Sequence, residues 1–323
     1  MTDSGMRPAS GAAGIGPGAQ VCAVDVGGTS IKGAMLDSRG EPIATRRVAS
    51  PPRGAQAADA VVALVAEVIA DLTAEAGAPA SAGITLPGIF DESRGWGIHS
   101  ENLGWRDVDF RARFADVLDV PTAFAHDVRA AGEAEWRIGA AAGHATAVVI
   151  TVGTGVSAAL IIEGRPYLAG GHAGEMGHAP VPGHREACVC GAQGCLEAVA
   201  SAAAIVRRFN AATQTARVEG ADEVLSFALA GDAWAREVWV SAVNALADSI
   251  TQVIAVLAPE VIVIGGGLAE AGDELFVPLR TAVAERWALG SVPPIVPARL
   301  GATAGMMGAA LRARDLVSED TTP

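Results

Sequence analysis

Three cysteines and one histidine carry the first chemistry legible in this chain. Cys188, Cys190 and Cys195 fall within eight residues, and His178 lies ten before the first of them, in GHAPVPGHREACVCGAQGCLE over residues 177–197. One imidazole and three thiolates make a complete tetrahedral zinc shell of the closed, structural kind. Buried apolar thiols or a disulfide form the competing reading. A Cys-x-Cys pair bridges poorly, however, and three thiols leave one over. Glu175 stands three residues before His178, and Glu197 two after Cys195. A zinc knot would hold both carboxylates in fixed positions, the rigid support that a binding site needs. The cluster reads as a brace for a small-molecule pocket.

A second kind of chemistry is written in glycines. Asp25-Val26-Gly27-Gly28-Thr29 ends an apolar run. Its glycines leave amides exposed, Thr29 adds a hydroxyl, and Asp25 can hold Mg²⁺ through water. A plain hairpin turn would have the same composition. Lys32 is either a phosphate contact or a solvated strand residue. Thr151-Val152-Gly153-Thr154-Gly155 offers a second set of amides and hydroxyls, and two such turns fit opposite sides of a polyphosphate chain. Gly265, Gly266 and Gly267 follow a buried run; they allow close approach of a flat ring or a phosphate, or simply turn a strand into a helix. Asp127 falls at the end of a predicted strand, at the carboxyl edge of a sheet where α/β proteins place catalytic groups. A helix N-cap would explain that aspartate equally well. Asn102, in ENLGW, and the Pro87-Gly88 turn are polar loop elements. Glu133, Glu135, Arg137 and the six tryptophans read as structural. His99, His144, His172 and His184 have no assigned role.

These groups need elements to hold them, and the chain alternates strand-like and helix-like runs. Val21–Val26, Ser30–Leu36 and residues 41–48 read as strands joined by GGT and SRG turns. Residues 55–76 have apolar side chains at helical spacing and stop at Gly77. Strands are predicted at Ser81–Leu86 and 122–125 with a helix over 110–118 between them, then a helix from Asp127 to about Ile138. A second set opens with 146–152 and Val156–Ile162, joined by GTG. Helices at 199–211, 221–229 and 232–257, a buried strand at 261–264, a helix to about residue 287, a strand near Ile295 and a helix over 302–316 complete it. Two halves that each open strand, Gly-Thr turn, strand point to a duplicated α/β unit. The expected division is a small α/β domain over 20–130 that regains the final helix (303–316), and a large α/β domain over 131–302 containing the zinc loop 178–197. Residues 1–19 and 317–323, rich in small and polar residues, are expected to be disordered.

Composition sets bounds. Of 323 residues, half are hydrophobic and only 18% charged, enough to bury large cores in two domains. A net charge of −13 argues against nucleic acid or an anionic membrane as partner. Residues 1–19 lack the apolar core of a signal peptide, and the apolar stretch 253–268 is broken by Pro259 and Glu260. The expectation is a cytoplasmic protein with its thiols reduced.

Taken together, DVGGTSIKGAMLD, LPGIFD, ENLGW, TVGTGVSAALIIEGRPYLAGGHAGEMGHAPV, CVCGAQGCLE and VIVIGGGLAE resemble the bacterial ROK family of sugar kinases, open reading frames and repressors, over residues 21 to 314. The stretch ending in GEMGH and followed by CxCGxxGCxE is the most specific part. The resemblance implies an actin-like ATPase (ribonuclease H-like) fold, two α/β domains around a cleft where sugar and ATP meet. It implies that Asp127 is the base on the sugar hydroxyl, and that Asn102, Glu175, His178 and Glu197 contact the ring. His178, Cys188, Cys190 and Cys195 would hold zinc; Gly27, Gly28, Thr29, Thr154 and Gly155 would surround the phosphates. One departure stands out. The family usually reads Asn-Asp-x-Asn around its catalytic Asp, and here the text is His126-Asp127-Val128-Arg129. If His126 takes over the sugar contact of that Asn, its protonation near pH ~6.5 should matter in mild acid.

The function that follows is phosphorylation of a hexose by ATP with Mg²⁺, most simply of glucose at its 6-hydroxyl, by a homodimer or homotetramer. N-acetylglucosamine, N-acetylmannosamine and carbasugar kinases would share the same contacts, and another nucleotide or polyphosphate could be the donor. A sugar-sensing repressor would need a winged helix before the first strand, and its charge would be wrong for DNA. A catalytically weak sugar-binding relative is the remaining rival, because of His126.

Overall fold

Val21–Val26 (β1) is apolar on both faces, with Cys22, Val24 and Val26 packing into one core and Val21 and Ala23 into another. A strand covered on both sides must lie at the centre of a sheet between layers of helix. In the computed structural model, which describes residues 15–212 and 217–319, that is its position. Ser30–Leu36 (β2) and Pro42–Ala49 (β3) fold back antiparallel beside it. Ala57–Ala76 (α1) then crosses the sheet, burying Val61, Val65, Val68 and Leu72, spaced to fall on one helical face. Each such side chain stabilises the fold by ~1.5–3 kcal/mol relative to exposure. Ser81–Leu86 (β4) returns parallel to β1. A small antiparallel sheet follows, made of Ile89–Asp91 (β5), Trp96–His99 (β6) and Arg106–Asp109 (β7). After Phe110–Ala115 (α2), Thr122–His126 (β8) completes the main sheet in the order β3-β2-β1-β4-β8.

Asp127–Ile138 (α3) leads into the second half. Ala147–Val152 (β9), Val156–Ile162 (β10) and Arg165–Tyr167 (β11) form an antiparallel meander. Four helices come next, Leu196–Ala200 (α4), Ala202–Ala212 (α5), Ala221–Leu229 (α6) and Ala233–Leu257 (α7). Val261–Gly265 (β12), Asp273–Arg286 (α8) and Ile295–Pro297 (β13) close a sheet ordered β11-β10-β9-β12-β13. The two sheets thus share one order and one pattern of strand directions: three antiparallel strands, then two added in parallel. Ala304–Glu319 (α9) runs back onto β1, β4 and β8 of the first sheet and packs along α3, which itself lies on β10 of the second. A Cβ on Gly308 would lie 2.0 Å from the Ala130 carbonyl oxygen, so α9 and α3 meet at main-chain distance.

The tail expectations need correction at their inner ends. Residues 15–19 are held: Ile15 is buried with Val21 and Leu311, Gly18 N–H donates to Ser38, and the Arg314 guanidinium bonds the carbonyls of Gly16, Ala19 and Asp37. An arginine with several donors can fix a stretch that has no periodicity of its own. Residues 317–319 continue α9; 1–14 and 320–323 lie outside the described residues. The small sheet, β11 and α4 are additions to the predicted elements. Helix α7 is long and apolar enough to cross a membrane, but Val238, Ala242, Leu246 and Ile250 pack it into the core of the second half.

Candidate active site

Strands β1, β4 and β8 run parallel, and their register sets Asp25 beside Thr85 and Thr85 beside Ala125. Asp127, two residues past Ala125, therefore shares the carboxyl edge of the sheet with Asp25. The Thr85 hydroxyl donates to Asp25 Oδ1 at 2.6 Å. Burial pushes the Asp25 carboxyl up, Thr85 and Lys32 pull it down, and the negative charge of Asp127 raises it further. Lys32 is the cross-strand partner of Asp25. The turn beyond is pinned by Gly27 N–H to Ser30 O, and by Ser50, whose hydroxyl bonds Gly27 O and whose amide bonds Thr29 O. Gly28 and Thr29 are exposed, and the Asn102 side chain lies 3.7 Å from the position a Gly28 Cβ would take.

Asp127 is the first residue of α3. Its Oδ1 accepts from the Val128 amide at 2.7 Å and lies 3.1 Å from His126 Nε2. Burial pushes its carboxyl up to about 6, against the pull of the Val128 amide and of Arg129. His126 is the N-cap: its Nδ1 accepts from the Arg129 amide at 3.4 Å. Burial, then the positive charge of Arg129, hold its imidazolium pKa down to about 3, with Glu92 opposing. The expectation that His126 would titrate in mild acid is corrected by that burial. Nδ1 is engaged at the start of α3, Nε2 lies beside Asp127 Oδ1 without a hydrogen bond between them, and burial keeps the ring neutral in mild acid. The group that titrates in mild acid is Asp127.

Arg129 has the role that sequence reasoning missed. Its guanidinium is buried, donating to Glu92 Oε1 at 2.6 Å, Phe90 O at 2.7 Å and Gly171 O at 3.2 Å. Glu92 also accepts from the His126 amide and, through Oε2, pairs with Arg312 at 2.7 Å. Arg312 in turn bonds Glu133 at 2.6 Å. A buried charge survives only when paired and hydrogen-bonded, and here one carboxylate serves two guanidinium groups. Arg129 thereby ties β5, the start of α3 and the loop at 169–174. No signal near Glu92 in sequence marks it as a partner of Arg129 or Arg312. Glu133 and Arg137 belong to the same network, and Glu135 caps loop amides at Ala140 and Leu300, as structural residues should.

In the second half, Thr151, the last but one residue of β9, lies beside Gly265 of β12. Gly153 N–H bonds Gly155 O, and Gly153 O accepts from Ala202 at the start of α5, so the turn is fixed from below while Thr154 is exposed. Gly266 has φ 83°, and a Cβ there would stand 2.4 Å from Val152 O; only glycine lets this strand end lie against β9. Glu197, in the first turn of α4, accepts from the Val156 amide at 3.0 Å, which links the cysteine loop to the Gly-Thr turn. Glu175 is half-buried. Burial raises its carboxyl pKa, His178 and Arg129 oppose this, and the charges of Asp127 and Glu197 add to the rise. Charge links the candidate residues in series: Glu197 and Asp127 act on Glu175, and Asp127 acts on Asp25.

The ligand atoms of His178, Cys188, Cys190 and Cys195 all lie within 4.8 Å of one another. Cys188 Sγ is 3.7 Å from His178 Nδ1, and Cys190 Sγ is 3.7 Å from Cys195 Sγ. Four atoms at zinc–sulfur distance around one tetrahedral centre stand about 3.8 Å apart, so the donor set fits. All four cysteines are unbridged. A groove of about 330 Å³ between α6, α7 and α8, lined by Leu225, Trp239, Val243 and Pro278, is remote from this series.

Two α/β domains built on one strand plan, with carboxylates on one sheet edge and glycine turns on both, define a phosphotransferase of the actin-like ATPase class. The ROK family profile matches residues 21–315, and the chain belongs to that family. It is 31% identical to a glucokinase of Thermotoga maritima over 313 residues, covering 91% of this chain and 97% of that one. Among solved structures, a ROK hexokinase from Thermus thermophilus superposes with a TM-score of 0.80 at 31% identity, covering 93% of this chain and 99% of that one. A ROK family glucokinase from Streptomyces griseus, in complex with glucose and AMPPNP, gives 0.78 at 28% identity, covering 92% and 99%.

Proposed function

We propose that this chain transfers the terminal phosphoryl group of ATP to a hexose, glucose at its 6-hydroxyl in the simplest case, with Asp127 as the base. The observation that carries this reading is the carboxylate of Asp127 at the start of α3, on the same sheet edge as Asp25. Phosphoryl transfer needs positioning and charge neutralisation more than covalent help. Asn102, Glu175, His178 and Glu197 would bind and orient the sugar ring. Gly27, Gly28 and Thr29 would hold the phosphates from one side, with Thr151, Gly153, Thr154 and Gly155 on the other. Lys32 adds charge beside Asp25, and Gly265, Gly266 and Gly267 leave room for the nucleoside. Mg²⁺, held near Asp25, would neutralise phosphate charge. Asp127 would take the hydroxyl proton as the bond to phosphorus forms. Zinc on His178, Cys188, Cys190 and Cys195 would brace Glu175 and Glu197; a closed shell leaves no position for substrate.

The reading extends to a domain division at about residue 130, with the 303–316 helix joining 20–130, to a homodimer or homotetramer, and to the cytoplasm. The exposed apolar side chains Leu229, Val240 and Val277 support assembly. Mass spectrometry of products from a mixed hexose, N-acetylhexosamine and carbasugar pool with ATP and Mg²⁺ tests the activity. A hexose monophosphate is expected; exclusive conversion of an acetylated sugar would replace the substrate, and no product at all would remove the kinase reading.

A further inference from the structure

We propose that Arg129 is a positioning residue for the sugar site: its guanidinium bolts the loop at 169–174 onto β5, so that Glu175 is held near Asp127 before any sugar arrives. This rests on the reading of Glu175 as a sugar contact and Asp127 as the base. Arg129 Nε donates to Glu92 Oε1 at 2.6 Å, and one terminal nitrogen donates to Phe90 O at 2.7 Å. The other terminal nitrogen donates to Gly171 O at 3.2 Å and Ala173 O at 3.4 Å. Two acceptors thus belong to β5 and the residue after it, and two to the loop that leads into Glu175. The guanidinium is buried, where hydrogen bonds hold more firmly than in water. The family's usual Asn carries two donors and no charge, so it could neither serve four acceptors nor neutralise Glu92.

The loop lies between the two halves of the molecule. Gly171 has φ 93°, and a Cβ on it would stand 2.4 Å from Phe90 O, so the loop meets β5 at main-chain distance. Three residues on, Gly174 has φ 90°, and a Cβ there would stand 1.8 Å from Ala158 O. The Ala158 amide donates to Gly174 O at 2.8 Å. Glu175 therefore follows directly on a segment pressed against β5 on one side and β10 on the other. A main-chain bond keeps the β10 side; Arg129 keeps the β5 side. Its charge also reaches both carboxylates, since burial raises Asp127 and Glu175 and Arg129 opposes the rise in each. A loop with fewer ties would populate arrangements in which Glu175 is misplaced, and apparent affinity falls with the fraction of protein in the competent one.

Two substitutions loosen the clamp by different routes. Arg129→Lys keeps a positive charge beside Glu92 but loses the planar fork that spans four acceptors. Gly171→Ala keeps Arg129 and forces the loop away from Phe90 O. In zinc-loaded protein, both are expected to raise sugar KM about ten- to thirtyfold, with ATP KM and kcat within about threefold. Hydrogen exchange read by mass spectrometry should quicken over residues 169–175 in both and stay unchanged over β9 and α7. Sugar KM within about twofold of wild type in either variant, or unchanged exchange over the loop, would overturn the proposal. So would equal rises in the two KM values, the mark of a general loosening of the fold. Wild type alone also decides, without any variant having to fold. Its residues 169–175 should be protected before sugar is added, whereas protection that arises only with glucose would mean that the ligand orders the loop. Glu175→Gln, assayed in parallel, tests the underlying reading by itself: sugar KM within about twofold there would remove Glu175 as a sugar contact, whatever Arg129 does.

Discussion

Asp25 and Thr151 occupy matching places in the two sheets. Each stands two residues before a glycine turn, on the central strand, between an antiparallel and a parallel neighbour. Their surroundings differ. Asp25 has Lys32 across one strand and the Thr85 hydroxyl across the other; Thr151 has Ser157 and Gly265. At these two places one wall gathers charge, together with Asp127, while the other offers amides, hydroxyls and space left by glycine, with the Glu197 carboxylate held behind the turn by the Val156 amide. A cleft receiving a polyphosphate, a cation and a neutral sugar gains from that asymmetry. The cation needs a carboxylate, whereas a carboxylate at the place of Thr151, beside the phosphates and without a cation, would repel them.

The charged wall should fail hardest. Asp127→Asn is expected to lower turnover ~10²–10⁴-fold with sugar affinity within about tenfold, measured by steady-state assay and by calorimetric titration. The same change should stabilise the fold at pH 7. A carboxyl raised from 3.8 to about 6 on folding costs stability above its folded pKa, and the cost fades as pH falls through 6 toward 4. Two units correspond to ~3 kcal/mol at most; because the side chain is about a third exposed, ~1–2 kcal/mol is the expected gain. A lower melting temperature for the variant at pH 7 than at pH 4.5, relative to wild type, would contradict this sign. In wild type the kcat/KM profile should fall on the acid side through about pH 6.

Making the charged wall resemble the neutral one comes next. Asp25→Thr should reduce turnover ~10²-fold, the scale of losing charge stabilisation from a bound cation, and should weaken the response to added Mg²⁺ while sparing sugar binding. An unchanged Mg²⁺ titration would detach Asp25 from the metal. Cys190→Ser strikes the support of the neutral wall instead. Metal analysis should show zinc lost from the one-per-chain level of wild type, with sugar KM raised several-fold and the melting temperature lowered by several degrees. Full zinc in the variant would argue that Cys190 is no ligand. The mildest change runs the other way: Thr151→Asp should raise KM for ATP about three- to tenfold by repulsion. If ATP binds as before, that turn does not meet the phosphates.

Much of this contrast is legible in the sequence because it lies in local runs. β1, β2, β4, β10, α3 and α6 begin and end where apolar periodicity and glycine put them. The cysteine spacing, too, announces a cluster that the fold closes. The three-stranded sheet escapes such reading because strands of three or four residues carry too little alternation, and their pairing is decided by Phe90, Trp105 and Phe110 meeting in the core. Arg129 and His126 are visible as departures from a motif, but their meaning depends on Glu92 and Arg312, partners far away in the chain. Single residues of that kind have no period, and only the folded contacts reveal what they pair with.

The return of α9 to the first sheet has a consequence for how the protein is made. On a ribosome, β1, β4 and β8 emerge early, yet the helix that covers one of their faces emerges only after residue 303. Until then Val21, Ala23 and Ala34 lack most of their covering, while the second sheet already has its helices. The half that holds Asp127 is therefore the last to be completed, and the unfinished chain presents an apolar sheet face for which chaperones and neighbouring nascent chains compete.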